Sequence, residues 1–223
     1  MLNLKEVTLV AVACTKVPET IDALQLSQAQ IKFARCLLLT DKQVGNFPDI
    51  QVKKIKSLYY QAYNHFILFE LHKYIHTKYC LVVQNDGYVV RPGKWISKFL
   101  KYDYIGAPWP EKTHFTADGK EVRVGNGGFS LRSHKLLSAP SQLKLAFTDA
   151  QTGYFHEDGF LCVHYRHLLE KKGIKFAPVN VAAKFSRELW CAESVADSFG
   201  FHKYADFSFP IILARIKRFL FNS

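Results

Sequence analysis

Short apolar runs separated by polar, helix-like stretches fill the first ninety residues. Residues 7–13 read Val-Thr-Leu-Val-Ala-Val-Ala, with almost no polar interruption. Such a run predicts a strand covered on both faces, ending at Cys14-Thr15. Pro18-Glu19-Thr20 then opens a predicted helix running to about residue 32, with proline in the first turn where its missing N–H does no harm. Residues 36–39 predict a second strand closed by Thr40-Asp41, and residues 50–55 a short third one. A long aromatic-rich helix with a serine cap is predicted over 57–75, and a fourth buried strand over 79–83. This alternation predicts a Rossmann-related α/β domain: a mostly parallel sheet with helices on both faces.

The pattern changes from Asp103 onward, where glycine, proline and aromatics crowd together in Tyr104-Ile105-Gly106-Ala107-Pro108-Trp109 and Gly125-Asn126-Gly127-Gly128-Phe129-Ser130-Leu131-Arg132. A polar loop over 111–123 separates them. Residues 158–172 predict a helix stopped by Gly173, and residues 174–181 a late strand. No internal repeat or low-complexity linker divides the chain.

Composition narrows the class. With 223 residues, 48% of them apolar, the chain can build one sizeable core, which excludes global disorder. The formal charge of +11 asks for an anionic partner: a phosphorylated substrate, a nucleic acid or an acidic membrane surface. Five cysteines (Cys14, Cys36, Cys80, Cys162, Cys191) include no Cys-x-x-Cys pair and sit mostly among apolar neighbours, which predicts reduced thiols rather than a disulfide framework. No secretory h-region and no apolar stretch near 18 residues is present, so a cytoplasmic protein is expected. Residues 209–223 interleave Ile211, Ile212, Ile216, Phe219 and Phe221 with Arg215, Lys217 and Arg218. That segment reads either as an interfacial helix on the inner face of an anionic membrane or as a terminal helix packing on its own core.

Four short polar segments carry candidate chemistry. Gln84-Asn85-Asp86-Gly87 follows the fourth strand, at the sheet edge where open α/β folds bind ligands, and offers oxygen donors for a hard cation. A plain turn into Tyr88-Val89-Val90 is the other reading. Gly125-Asn126-Gly127-Gly128 lets backbone approach a ligand closely or makes a tight turn. His156-Glu157-Asp158 begins a predicted helix, where the free amides favour a carboxylate anion and a cap would also be at home. Phe199-Gly200-Phe201-His202-Lys203 places a histidine and a lysine late in the chain. His72 and His76, four residues apart, lack the glutamate of a zinc-peptidase helix and read as a partly exposed helix face.

Taken in order, these segments resemble a family of uncharacterised domains assigned to glycosyltransferases of the GT-A fold. The resemblance spans about residues 57–204, and Asp103 to Trp109 and Gly125 to Arg132 are its specific stretches. It implies a GT-A-like domain over 1–208, with a nucleotide-binding half over about 1–90 and an acceptor-facing half over about 91–208. It implies a nucleotide-sugar donor, taken as a UDP-sugar, a glycan or lipid-linked glycan acceptor and a place in polysaccharide biosynthesis. Asp86 matches the last Asp of the family's Asp-x-Asp motif and His202 its late metal ligand, so Mn²⁺ or Mg²⁺ is implied, although Gln84 replaces the first Asp. Asp158 matches the general base of inverting members, with Glu157 orienting acceptor or loop. Ala13, Cys14, Thr15, Asp41, Gln84, Asn85 and Lys203 fall to the donor by the same analogy. Trp109, Asn126, Gly127 and Gly128 fall to the acceptor or the donor sugar.

Two other classes compete. A noncatalytic glycan- or nucleotide-binding module would explain Gln84. A nucleic-acid-binding protein would explain the charge, but no RNP sequence, zinc-finger spacing or KH loop is present and the basic residues are dispersed, so no nucleic acid is expected.

Overall fold

The structure is a computed structural model and describes residues 1–110, 115–147, 156–188 and 198–203. In chain order the first half runs β1 (Leu2–Val12), α1 (Val17–Gln28), β2 (Ile31–Thr40), β3 (Gln51–Lys54), α2 (Tyr60–Phe69) and β4 (Tyr79–Val83). The second half adds β5 (Tyr104–Ile105), β6 (Phe115–Ala117), β7 (Lys120–Val122), β8 (Phe129–Ser133), α3 (His134–Gln142), the single turn α4 (Glu157–Gly159), α5 (Arg166–Lys171), α6 (Val179–Phe185), β9 (Ser186–Glu188) and β10 (Gly200–His202).

The central sheet has the order β3-β2-β1-β4-β8-β5. Its first four strands are mutually parallel, as the alternation predicts, and β8 runs antiparallel to both β4 and β5. Alternate residues of β1 face opposite layers. Leu9 and Ala11 join a core with Val17, Ile21 and Leu24 of α1 and Phe185 of α6. Val10 and Val12 join a second core with Phe66 and Ile67 of α2 and Leu137 of α3. Both faces are therefore covered, which is why the strands read as unbroken apolar runs.

Strand order reverses at β1, which has β2 on one side and β4 on the other. The carboxyl ends of β1 and β4 thus open a crevice at a topological switch point. Cys14-Thr15 follows one strand end and Gln84-Asn85-Asp86 the other.

Several elements differ from their predicted bounds. The first helix stops at Gln28 because Ile31, Lys32 and Phe33 pair with Leu2, Asn3 and Leu4 in a parallel ladder. That outer half of β1 and β2 is partly exposed, so the apolar run marks only the strand interior. The predicted 57–75 helix is shorter. It begins after extended Tyr59, not at Ser57, with no side-chain cap, and after Phe69 it tightens into a 3₁₀ turn, Leu71–Lys73. His72 lies in that turn and His76 beyond it, so the two do not share a helix face. The predicted 158–172 helix is broken into α4, a π-helical turn (Phe160–His164) and α5, and Gly173 ends it at a φ of 73° as expected.

The late strand over 174–181 does not form. One parallel bridge joins Phe176 to Tyr104, and Pro178, which has no N–H to extend a ladder, caps α6 instead. The turn over Gln84 to Gly87 does form, with the Gly87 N–H donating to the Gln84 carbonyl at 3.2 Å, but the chain beyond it pairs Val89 with the distant Gly200. The expected polar loop over 111–123 contains the β6–β7 hairpin, turned at Asp118 and Gly119 with φ of 49° and 71°. An Asp-Gly pair with both φ positive is the usual two-residue hairpin turn. Cys14, Cys36, Cys80 and Cys162 are free thiols, whereas Cys191 and the segment 209–223 lie outside the described residues. Among the described residues no helix is long and apolar enough to cross a membrane.

Candidate active site

Two adjoining clefts open at the switch point. The first encloses about 410 Å³ and is lined by Gln84, Trp109, Asn126, Gly127, Gly128, His156, Glu157, Asp158, His202 and Lys203, with Tyr60, Tyr63, Asn64 and Phe115. The second, about 400 Å³, is lined by Ala13, Cys14, Thr15, Gln84, Asn85 and the tyrosines 59, 60 and 63. Tyr60, Tyr63 and Gln84 belong to both, which makes the two one continuous groove. Every predicted site residue lines one of these clefts except Asp41 and Asp86. Asp41 is held beside Lys42, whose hydrogen bond, with those of Ser57 and Cys14, keeps its carboxyl below the usual range.

At one end of the first cleft stands the α4 turn. Asp158 accepts the Asn126 N–H through Oδ2 at 3.1 Å and the Gly159 N–H through Oδ1 at 2.8 Å. Two amides therefore fix the carboxylate in orientation, and its remaining lone pairs are left for a ligand hydroxyl. Asn126 adopts a left-handed φ of 59°, and its side-chain amide donates to the Ala107 carbonyl at 3.1 Å.

Glu157 faces inward. Its Oε1 accepts from Arg132 Nη2 at 2.9 Å, and its N–H donates to Asn64 Oδ1 at 3.0 Å. Arg132 on β8 is wholly buried; it also donates to the Gly127 carbonyl and Ser130 Oγ and lies 5.4 Å from the Tyr104 ring centroid. Burial pushes the Glu157 carboxyl up and Arg132 draws it back. Burial also disfavours the guanidinium, but Glu157 above all holds its charge, so its pKa is raised. Glu157 thus anchors the Asp158 turn through Oε1 while it also lines the cleft.

At the other end stands His202 on β10. Its Nδ1 lies 3.0 Å from Glu188 Oε1, and its Nε2 lies 3.5 Å from Asp86 Oδ1. Burial opposes the imidazolium, but the Asp86 and Glu188 carboxylates outweigh it and raise the ring's pKa to about 9. Burial likewise opposes the Asp86 anion, yet His202 and then Lys203 hold its carboxyl below the ordinary value. Asp86 and His202, 116 positions apart in sequence, therefore meet, as the resemblance implies. The Lys203 N–H donates to the Asp86 carbonyl at 2.9 Å, which ties the two segments together by backbone as well.

The Asn126-Gly127-Gly128 loop runs between these two ends and needs glycine for clearance. A Cβ at position 127 would lie 1.7 Å from Glu157 Oε1, and one at position 128 would lie 2.1 Å from His202 Nε2. Trp109 packs its ring on Gly125 and against Phe115, with centroids 4.8 Å apart, and walls the cleft.

The residues fit a divalent cation in part. Asp86 Oδ1 and His202 Nε2 are buried atoms that face each other at 3.5 Å and make no hydrogen bond among the described residues, an ion pair whose place a shared cation would take. Gln84 adds a neutral amide whose nitrogen donates to Tyr63 Oη at 2.8 Å. Among the described residues no group of three or more His, Cys, Asp or Glu side chains is placed to hold a metal, so a cation here would need ligand oxygens to complete its shell.

Sequence reasoning missed Arg132, Glu188 and the Tyr60–His156 contact, where the Tyr60 hydroxyl meets the imidazole Nδ1. Arg132 stood within the specific stretch but carried no signal of a role. Glu188 acquires its place only through the pairing of β9 with β10, in which it is the partner of His202.

A family model described as "Protein of unknown function (DUF5672)" matches residues 44–202. No curated protein matches the sequence. Among solved structures, a glycosyltransferase involved in the glycosylation of the major capsid of PBCV-1 aligns over 94% of this chain and 98% of its own, at a TM-score of 0.53 and 12% identity. An active-site mutant of LgtC aligns over 88% of this chain and 86% of its own, at a TM-score of 0.50 and 12% identity. These likenesses establish the fold: a mixed α/β fold of the GT-A glycosyltransferase type.

Proposed function

The chain belongs to the DUF5672 family of proteins of unknown function, and from that premise we propose that it is a nucleotide-sugar-dependent glycosyltransferase that acts with inversion. The observation that carries the reading is the pairing, in one groove at the switch point, of an amide-held carboxylate, Asp158, with His202 and Lys203, an end backed by Asp86 and suited to a diphosphate. The fold neighbours support glycosyl transfer as the chemistry.

In this reading the donor, taken as a UDP-sugar, lies along the groove. Its nucleoside rests against Ala13, Cys14, Thr15 and the tyrosines, with Asp41 nearby. Its diphosphate lies near Gln84, Asn85, His202 and Lys203, and its sugar near Asn126, Gly127 and Gly128. The acceptor, a glycan or lipid-linked glycan, enters past Trp109, Tyr60 and His156. Asp158 takes the proton from the acceptor hydroxyl as that oxygen bonds to the anomeric carbon; the bond to the diphosphate breaks, and the nucleoside diphosphate leaves with the electron pair. Lys203 and His202 stabilise the negative charge it gains. Mn²⁺ or Mg²⁺, if bound, would be held by Asp86 and His202 and would neutralise part of that charge. The basic segment 209–223 supports an acceptor carried on an anionic membrane surface of the cytoplasmic face; sedimentation with anionic vesicles, with and without that segment, tests it.

The decisive experiment measures diphosphate release from a panel of nucleotide sugars with an acceptor library, with and without Mn²⁺, and reads the product's anomeric configuration by NMR. Turnover with inversion is expected. Nucleotide-sugar binding without turnover under every condition would favour the noncatalytic module, and a retained configuration would remove Asp158 as general base.

A further inference from the structure

We propose that Glu188 is a positioning residue for cation binding: it takes the Nδ1–H of His202 and thereby presents the Nε2 lone pair to a divalent ion shared with Asp86. The inference rests on the reading of Asp86 and His202 as a cation site and adds to it a residue outside the cleft lining.

Three observations carry it. Glu188 and His202 are direct partners in the parallel β9–β10 ladder, so the backbone register sets their side chains side by side, 3.0 Å apart. Both side chains are largely shielded, at 15% and 6% exposure, which keeps water from competing for the Nδ1 proton. On the far side of the ring, Nε2 and Asp86 Oδ1 face each other at 3.5 Å and neither makes a hydrogen bond among the described residues, while the backbone of Gly128 packs against the ring.

Tautomer logic makes the carboxylate matter. Two carboxylates flank the ring, one at each nitrogen, so a cation shared with Asp86 has to take the place of the proton on Nε2, which otherwise lies toward Asp86, 3.5 Å away. Glu188 holds the ring's other proton on Nδ1, so Nε2 is the nitrogen that a cation can take, and the carboxylate raises its basicity as a ligand. With only two protein ligands here, losing the correct tautomer removes half of the protein's share of the coordination shell.

The test is calorimetric titration of Mn²⁺ alone and of Mn²⁺ with UDP into wild type, Glu188→Ala, Glu188→Gln and His202→Ala, together with electron spin-echo modulation of bound Mn²⁺ to detect a histidine nitrogen. Glu188→Ala is expected to weaken Mn²⁺ about 10–100-fold and to lose the nitrogen modulation. Glu188→Gln, whose amide oxygen can accept the same N–H, should keep the modulation and lose less affinity. Unchanged affinity and modulation in Glu188→Ala would overturn the proposal while leaving the cation site standing. If wild type binds no Mn²⁺ with or without UDP, or His202→Ala binds it equally well, the cation site itself is wrong and the proposal falls with it. Should Glu188→Ala not fold, Glu188→Ser, whose shorter side chain cannot reach Nδ1, decides: weakened Mn²⁺ binding with lost nitrogen modulation supports the role, and wild-type affinity and modulation refute it.

Discussion

Arg132 and Glu157 form an ion pair at 2.9 Å with side chains 0% and 6% exposed. The same guanidinium nitrogen also reaches the Gly127 carbonyl at 3.3 Å. Arg132 therefore joins the two segments that hold Asp158: the α4 turn that carries it and the Asn126-Gly127 loop whose amide binds it. A buried charge pair is weak evidence for stability by itself, because desolvation offsets much of the attraction. Its value here is geometric, since it fixes where the Asp158 carboxylate stands.

Removing one partner should be far worse than removing both. Arg132→Met leaves the Glu157 carboxylate buried and unpaired, and a loss of about 3–5 kcal/mol is expected. The double variant Arg132→Met/Glu157→Gln should recover part of that loss, because no uncompensated charge remains. Urea unfolding with matched m-values measures both. A double variant no more stable than Arg132→Met alone would refute the charge-pair account.

The two loop glycines separate the two ends of the cleft. Gly128→Ala should push against His202 Nε2 and impair cation binding, while Gly127→Ala should push against Glu157 and lower stability. Mn²⁺ titration and thermal melting of each variant should give this crossed pattern. Equal effects of both substitutions on both measurements would contradict it.

Much of the scaffold was legible because β1, β2 and β4 are covered on both faces, so their apolar runs stand out. The strand-end placement of Gln84-Asn85-Asp86 and the meeting of Asp86 with His202 followed from that pattern and the resemblance. What escaped were features decided by distant partners. The partly exposed outer halves of β1 and β2 depend on pairing with each other, and residues 174–181 looked like a strand until Pro178 is seen to begin α6. Asp118-Gly119 was a readable turn signal that sat within an apparently featureless polar loop. Arg132 sits in an otherwise strand-like stretch, and nothing in its neighbours announces a buried cation. The resemblance gives Glu157 a part in orienting acceptor or loop, but nothing in the sequence announces that its Oε1 pairs with Arg132 while Asp158 accepts backbone amides.

His202 should give the metal-free protein a distinctive alkaline profile. Its folded pKa of about 9 lies above the ordinary histidine value near 6.5. The folded state therefore holds the proton more tightly than the unfolded chain. This stabilisation is complete below about pH 6.5, declines as pH rises through the folded pKa, and amounts to at most about 3 kcal/mol. Asp86 and Glu188 are the charged groups that create the effect, and Lys203 acts on Asp86. Melting temperatures in chelator from pH 6 to 10 should fall more steeply for wild type than for His202→Gln. Parallel curves would show that the ring is not held as a cation.

Asp158→Asn should separate catalysis from folding. The amide is nearly isosteric, and its oxygen can still accept one of the two backbone N–H bonds that now hold the carboxylate. Its nitrogen cannot accept the other, so a modest local loosening is expected, with the Arg132–Glu157 pair still anchoring the turn. An amide cannot take a proton from an acceptor hydroxyl. General-base assistance contributes about 10²–10⁴-fold, so kcat should fall by roughly that factor while the KM for the nucleotide sugar changes little. Donor binding should persist because the Asp86–His202 end is untouched. Comparing transfer with slow donor hydrolysis sharpens the reading, since a lost base should slow both reactions, whereas a merely misplaced acceptor should slow transfer alone. Near-normal transfer by Asp158→Asn would remove this residue from the chemistry. A simultaneous collapse of donor affinity and thermal stability would mean that Asp158 serves the fold rather than the reaction.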